Sequence, residues 1–279
     1  MINTNFMSVN RKYTLIVILV LIAGLLFGCT HSEKKKFDIE ILKNIPDSIK
    51  YERNYGGHLQ GFATDYKDFL FWSHTTQLVK TDLKGTVLKV VDVPTHHGDL
   101  DYYEGKIYVA VNLGKFNEEA GQEDSWVYVY EPENLELLHK YLVPELVHGA
   151  GGIAIHKKQV MIVGGLPYNG KYDKNFVYEY DPDFKFKKRH ELAGRYTHLG
   201  IQTACFFNGC WYFGCYGSDS KNLKPVVLKV REKGDKLDLL KTYDVDMSHG
   251  LIGLEKDEFL YSNNSLDKKA AKIKLTNLN

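Results

Sequence analysis

From residue 37 to the C-terminus, short apolar runs alternate with turn signals, and no segment carries the 3.6-residue period of a helix. The stretch beginning at Gly152 displays the pattern well. Residues 152–156 form a first apolar run, Lys157-Lys158 a tight turn, and residues 160–163 a second run. A polar loop over 167–175 follows. Residues 176–180 then alternate as a third strand and stop at Asp181-Pro182, a turn signal. Residues 185–192 make a fourth strand whose charged positions suit an edge facing water.

The same order recurs four more times. Second strands are predicted over 69–72, 107–111, 211–213 and 259–261, and third strands over 78–81, 126–130, 226–230 and 271–275. The fifth unit reaches the end of the chain after its third strand. Residues 37–42, ahead of the first unit, can supply the missing fourth strand, and a terminal strand used in this way closes a ring. Five four-stranded units with a closing strand resemble a five-bladed β-propeller, and the resemblance covers residues 37–279. It implies an all-β domain with each innermost strand running along a central channel.

Five histidines, His58, His97, His148, His198 and His249, stand just before these innermost strands, at separations of 39, 51, 50 and 51 residues. A glycine lies next to each or within two positions, as in His97-Gly98, His148-Gly149 and His249-Gly250. A shared position in a repeat is carried by symmetry to one place, so the five imidazoles are expected to ring the channel mouth. The short first interval follows from a short loop at residues 73–76, whereas units two, three and four carry long polar loops over 112–125, 165–175 and 216–225. Three tall walls and two low ones predict a cleft open on one side. His74, Asn112, Lys115, Tyr168, Arg195, Gln202, Tyr216 and Asn263 are the residues expected to line it and to bind a small polar or saccharide ligand.

Converging neutral imidazoles are a common construction for a transition metal, and an all-histidine set suits Fe, Cu, Ni or a catalytic Zn. The arrangement is similar to the four-histidine axial iron site of the carotenoid-cleavage oxygenases, which are also propellers, and that similarity implies a bound metal. Two other readings stay open. The histidines can serve the fold by capping strands, in a non-enzymatic glycan- or protein-binding module. Alternatively, partly protonated rings can cradle an anion. Asp99, two residues after His97, is the candidate for orienting an imidazole or acting as a base. The chain has no nucleophile elbow, no Ser-His-Asp spacing and no phosphate-cradling glycine loop.

Charge and composition narrow the partners. A formal charge of +1 with no Lys/Arg stripe argues against nucleic acid, and a monomer with a small-molecule or saccharide ligand is expected. Aromatic residues at 13% suit a sheet-rich chain. The first thirty residues have a different character. Arg11-Lys12 precede an apolar run over 15–27 that ends in Leu26-Phe27-Gly28-Cys29. This resembles the signal and lipobox of bacterial lipoproteins, which implies a signal peptide over 1–28, lipidation of Cys29, a tether over 29–36 and a membrane-anchored protein of the cell envelope. Export makes the remaining cysteines informative. Asn208-Gly209 reads as a two-residue hairpin turn, which sets Cys205 opposite Tyr212 and Cys210 opposite Phe207. Cys205, Cys210 and Cys215 are therefore expected to be buried free thiols.

Overall fold

The computed structural model describes residues 45–52, 55–167, 172, 174–193, 196–266 and 269–277. Cys29, the segments 1–28 and 29–36, and the expected strand at 37–42 lie outside them. Five four-stranded antiparallel sheets form the blades. Blade one contains β2 (Leu59–Thr64), β3 (Phe69–His74), β4 (Gln77–Asp82) and β5 (Val87–Asp92). Blade two contains β6 (His97–Tyr103), β7 (Lys106–Asn112), β8 (Ser125–Tyr130) and β9 (Leu137–Leu142). Blade three contains β10 (Ala150–His156), β11 (Gln159–Gly164), β12 (Lys174–Tyr180) and β13 (Phe186–Ala193). Blade four contains β14 (His198–Phe207), β15 (Cys210–Tyr216), β16 (Val226–Lys233) and β17 (Lys236–Tyr243). Blade five contains β18 (Leu251–Glu255), β19 (Glu258–Tyr261), β20 (Lys269–Lys274) and, from the N-terminal side, β1 (Ser48–Lys50).

Innermost strands touch in the order β2, β6, β10, β14, β18 and back to β2, so the blades form a closed ring. The closing strand is β1, with Ser48 opposite Ala271, Ile49 opposite Ala270 and Lys50 opposite Lys269. It begins six residues beyond the end of the expected strand at 37–42. Residues 48–50 alternate polar, apolar, polar, a pattern too short to register as a strand without its partner. Buried Ile49 and Tyr51 then pack with Trp72 of blade one and Leu260 of blade five, which joins the two ends of the ring.

Five apolar clusters hold the molecule, and each straddles two neighbouring blades. A middle strand is therefore covered on both faces, which explains why β3 is apolar in consecutive positions and buried from Leu70 to His74. Outermost strands face water on one side, as in β9, where Leu137, Leu138 and Leu142 are exposed. Asp181 ends β12 as its sequence signal indicated, its Oδ1 accepting the amides of Asp183 at 2.9 Å and Lys185 at 3.0 Å.

The predicted hairpin register of blade four is the observed one, with Cys205 opposite Tyr212 and Phe207 opposite Cys210. All three cysteines of the described residues are free thiols. Cys210 and Cys215 are buried, whereas Cys205 is only half-buried, a correction to the expectation for that residue.

Near the axis the inner strands approach closely. A Cβ on Gly98 would lie 2.3 Å from the carbonyl oxygen of Gly151 on the next blade, so only glycine fits there.

Candidate ligand site at the channel mouth

Three imidazoles gather at the end of the channel where the inner strands begin: His58, His96 and His249. The rings of His58 and His249 are 5.7 Å apart and those of His58 and His96 are 6.3 Å apart. Gln60, on β2, lies between two of them. Its Nε2 is 2.9 Å from His58 Nε2 and 2.9 Å from His96 Nε2, and it donates to Thr75 Oγ1 at 3.2 Å. Phe116 reaches in from the loop after β7 and stacks on His96 with centroids 5.7 Å apart. Tyr216, at the end of β15, presents its ring edge-on to His249 at 5.5 Å.

Partial desolvation favours the neutral form of these imidazoles. Desolvation lowers the pKa of His58, and it lowers that of His96 with a smaller contribution from His58. His249 falls to about 4 for the same reasons, against an opposing hydrogen bond with the Asn263 backbone. The mouth is thus an uncharged patch of ring nitrogens, one amide and two aromatic rings.

The axis position in blade two belongs to His96 and not to His97. The His97 side chain is fully buried within the blade, where Nδ1–H donates to the Pro94 carbonyl at 2.7 Å and Nε2 accepts from the Tyr130 hydroxyl at 2.7 Å. A register irregularity between His97 and Leu100 breaks simple alternation at the start of β6, so spacing alone points to the wrong member of the His96-His97 pair. Burial lowers the His97 pKa to about 4, which keeps Nε2 a lone-pair acceptor for Tyr130.

His148 is also engaged elsewhere. It is buried, its Nδ1–H donates to the Glu118 carbonyl at 2.9 Å, and its ring lies edge-on to Tyr172 at 5.1 Å. The long loops of blades two and three are pinned together around it, with Tyr172 donating to Glu119 at 2.9 Å. His198, half-buried at the start of β14, pairs in register with Tyr216, and burial and Lys221 lower its pKa. The predicted ring of five thus becomes a cluster of three, of which His58 and His249 were in the predicted set.

Most residues expected to line the cleft shape the loops instead. His74 is fully buried inside blade one and shares a 2.7 Å hydrogen bond with the Tyr51 phenol. Asn112 clamps its loop, donating to the Gly114 and Lys115 carbonyls at 3.1 Å and accepting from the Asp124 amide at 2.9 Å. Lys115 is exposed and donates to Gln122 within the same loop at 2.8 Å. Gln202 turns back to the Leu199 carbonyl at 2.6 Å. Asn263 caps the turn after β19, its Oδ1 accepting the Ser265 amide at 3.0 Å. Tyr216 does reach the mouth. Tyr168 and Arg195 lie outside the described residues.

Asp99 lies buried among the inner strands. It is 1% exposed, and its Oδ2 accepts the amide of Ala204, on blade four, at 2.9 Å. Burial pushes its pKa well above the usual carboxylate range against the pull of the Ala204, Leu100 and Phe62 amides. Two residues on, Asp101 Oδ2 accepts the Ile155 amide of blade three at 2.7 Å, and burial raises its pKa to about 7. Both carboxyls act as ties between inner strands.

The predicted metal set does not fit as a unit, because His97 and His148 are committed to backbone and core partners. Among the described residues no group of three His, Cys, Asp or Glu side chains is placed to hold a metal ion. Sequence reasoning missed His96, Gln60 and Phe116. An aromatic residue inside an otherwise polar loop was the one available signal for Phe116. His96 was hidden by its neighbour.

No protein-family model matches the chain. No curated protein matches it either. Among solved structures it is similar to a protein of unknown function from Bacteroides caccae, at 13% identity and a TM-score of 0.49, over 76% of this chain and 73% of that one. It is also similar to a chain of a nidogen/laminin complex, at 13% identity and a TM-score of 0.48, over 70% of this chain and 66% of that one. The computationally designed Ika4 protein matches at 12% identity and a TM-score of 0.38, over 65% of this chain and 96% of that one.

Proposed function

We propose that this protein is a lipid-anchored binding propeller of the bacterial cell envelope that captures a small, uncharged polar ligand, a saccharide, at its channel mouth. The observation that carries this reading is the gathering of His58, Gln60 and His96 around one point, with Phe116 stacked beside them. Neutral ring nitrogens and an amide offer hydrogen bonds without charge. Aromatic rings beside them suit the apolar face of a sugar ring. Asp99 is buried, with Oδ2 on the Ala204 amide, and the reading assigns binding to this mouth. Calorimetric titration of the purified protein with a panel of neutral oligosaccharides tests it. Saturable binding abolished in His58→Ala is the expected result, and absence of binding across the panel would sink the reading.

A second reading keeps the transition metal. It is favoured by the two Nε2 atoms that face a common atom at 2.9 Å each, a separation that would have to shorten to about 2.0–2.1 Å on metal coordination. His58 and His96 would supply two imidazoles, with Gln60 displaced. Elemental analysis separates the two readings: close to one transition metal per chain, lost in His96→Ala, favours the metal. Anchoring is tested apart from both. Cys29→Ala is expected to move the protein out of the membrane fraction, and unchanged fractionation counts against lipidation.

A further inference from the structure

Gln60 occupies the point on which the mouth converges, and the hydrogens it carries constrain both histidines. A primary amide nitrogen has two hydrogens and no lone pair to offer, so a ring nitrogen facing it must be an acceptor. Gln60 Nε2 faces two such nitrogens, His58 Nε2 and His96 Nε2, at 2.9 Å each. Both rings are then neutral with the proton on Nδ1.

Resting on the binding reading above, we propose that Gln60 is the specificity-determining residue of the mouth. Its amide holds His58 and His96 as Nδ1–H tautomers whose Nε2 lone pairs face one point, so the site admits a group that donates hydrogen bonds and turns away anions. The hydroxyl of a neutral sugar that displaces the amide meets two acceptors. A phosphate or carboxylate oxygen meets the same two lone pairs and is repelled. Thr75 Oγ1, 3.2 Å from the amide, is a third acceptor for the two amide hydrogens, so one acceptor is underserved while Gln60 is in place. The resident amide is thereby exchangeable for a ligand with more hydroxyls.

The tautomers can be read without any ligand. Long-range proton–nitrogen spectra of the 15N-labelled full chain at pH 7.5, assigned with His58→Gln and His96→Gln, are expected to show Nδ1 protonated and Nε2 unprotonated in both residues. An Nε2–H tautomer at either ring in the wild type overturns the proposal. Gln60→Glu replaces a donor with an acceptor, and it should move the proton to Nε2 in both rings. Unchanged tautomers in Gln60→Glu also overturn the proposal. Gln60→Leu, of similar size and without hydrogens to donate, should give mixed tautomers, and it serves if the carboxylate variant fails to fold. Maltose and inorganic phosphate are then added separately to the wild type. Phosphate shifting both Nε2 signals counts against the proposal. Tautomers as expected with no neutral glycan bound would leave the tautomer lock standing and sink the binding reading alone.

Discussion

Asp99 Oδ2 accepts the backbone amide of Ala204, 2.9 Å away across the channel and 105 residues further along the chain. With Asp101 holding Ile155, the inner strand of blade two is tied to blades three and four by two buried carboxyls. These contacts explain how a ring with no covalent closure in its described residues keeps its axis filled.

Replacing Asp99 with alanine should destabilise the fold by about 1–3 kcal/mol, because the Ala204 amide is left buried without an acceptor. Asp99→Asn keeps an acceptor and carries no charge, so its cost should be clearly smaller. Urea unfolding midpoints of the two variants check this. Equal losses would mean that the carboxyl does not tie the strands.

The two acids also set a pH dependence. Their folded pKa values lie above the unfolded ones, so between about pH 4 and the folded value the native state binds more protons than the unfolded chain. Stability should therefore fall as pH rises through about 7, the folded value of Asp101. Asp101→Asn should flatten the decline measured by chemical denaturation between pH 5 and pH 8.

His97 and His58 should respond to mutation in opposite ways, although repeat spacing alone equates them. His97→Ala strands the Tyr130 hydroxyl and the Pro94 carbonyl and should cost about 1–3 kcal/mol. His58→Ala, at an exposed position, should stay within about 0.5 kcal/mol of wild type while losing ligand. Because burial lowers the His97 pKa to about 4, the unfolded chain takes up its proton first as pH falls from about 6.5. Stability should drop over that window, and thermal melts of His97→Gln should drop less.

Ring closure depends on one short strand. Ile49 is 1% exposed at the seam between blades five and one, so Ile49→Ala should cost about 2–5 kcal/mol. A scan by circular dichroism should show the whole sheet signal melting earlier. Loss confined to a fraction of that signal would indicate that blade five detaches alone.

Phe116→Ala removes the ring stacked on His96, a ring so close to Gly149 that a Cβ there would meet it at 2.3 Å. About tenfold weaker ligand binding with an unchanged melting temperature is expected, in line with aromatic contacts of about 0.5–1.5 kcal/mol. Calorimetry and a thermal melt on the same sample check both halves.

Much of this was legible in the residue order. Apolar runs in the second and third strands matched the observed ones to within a few residues, because these middle strands bury most of their side chains between blades. Asn208-Gly209 set its hairpin register through local turn chemistry alone. Closure by an N-terminal strand was also readable, although the segment used is 48–50. Three residues with one buried isoleucine acquire a strand's identity only from β20 beside them.

The site was read less completely, and the reason lies in where side chains turn. Repeat spacing determined that histidines would stand at the starts of inner strands, since spacing is a property of the chain. Which of them face the axis was decided by a register irregularity in β6 and by the partners each ring found, Tyr130 for His97 and Glu118 for His148. A one-position shift reverses the facing of a side chain, and hydrogen bonds to groups thirty residues away then fix it. The sequence determined a five-bladed ring with histidines at its mouth. Only the tertiary structure decided that three imidazoles and one glutamine meet there.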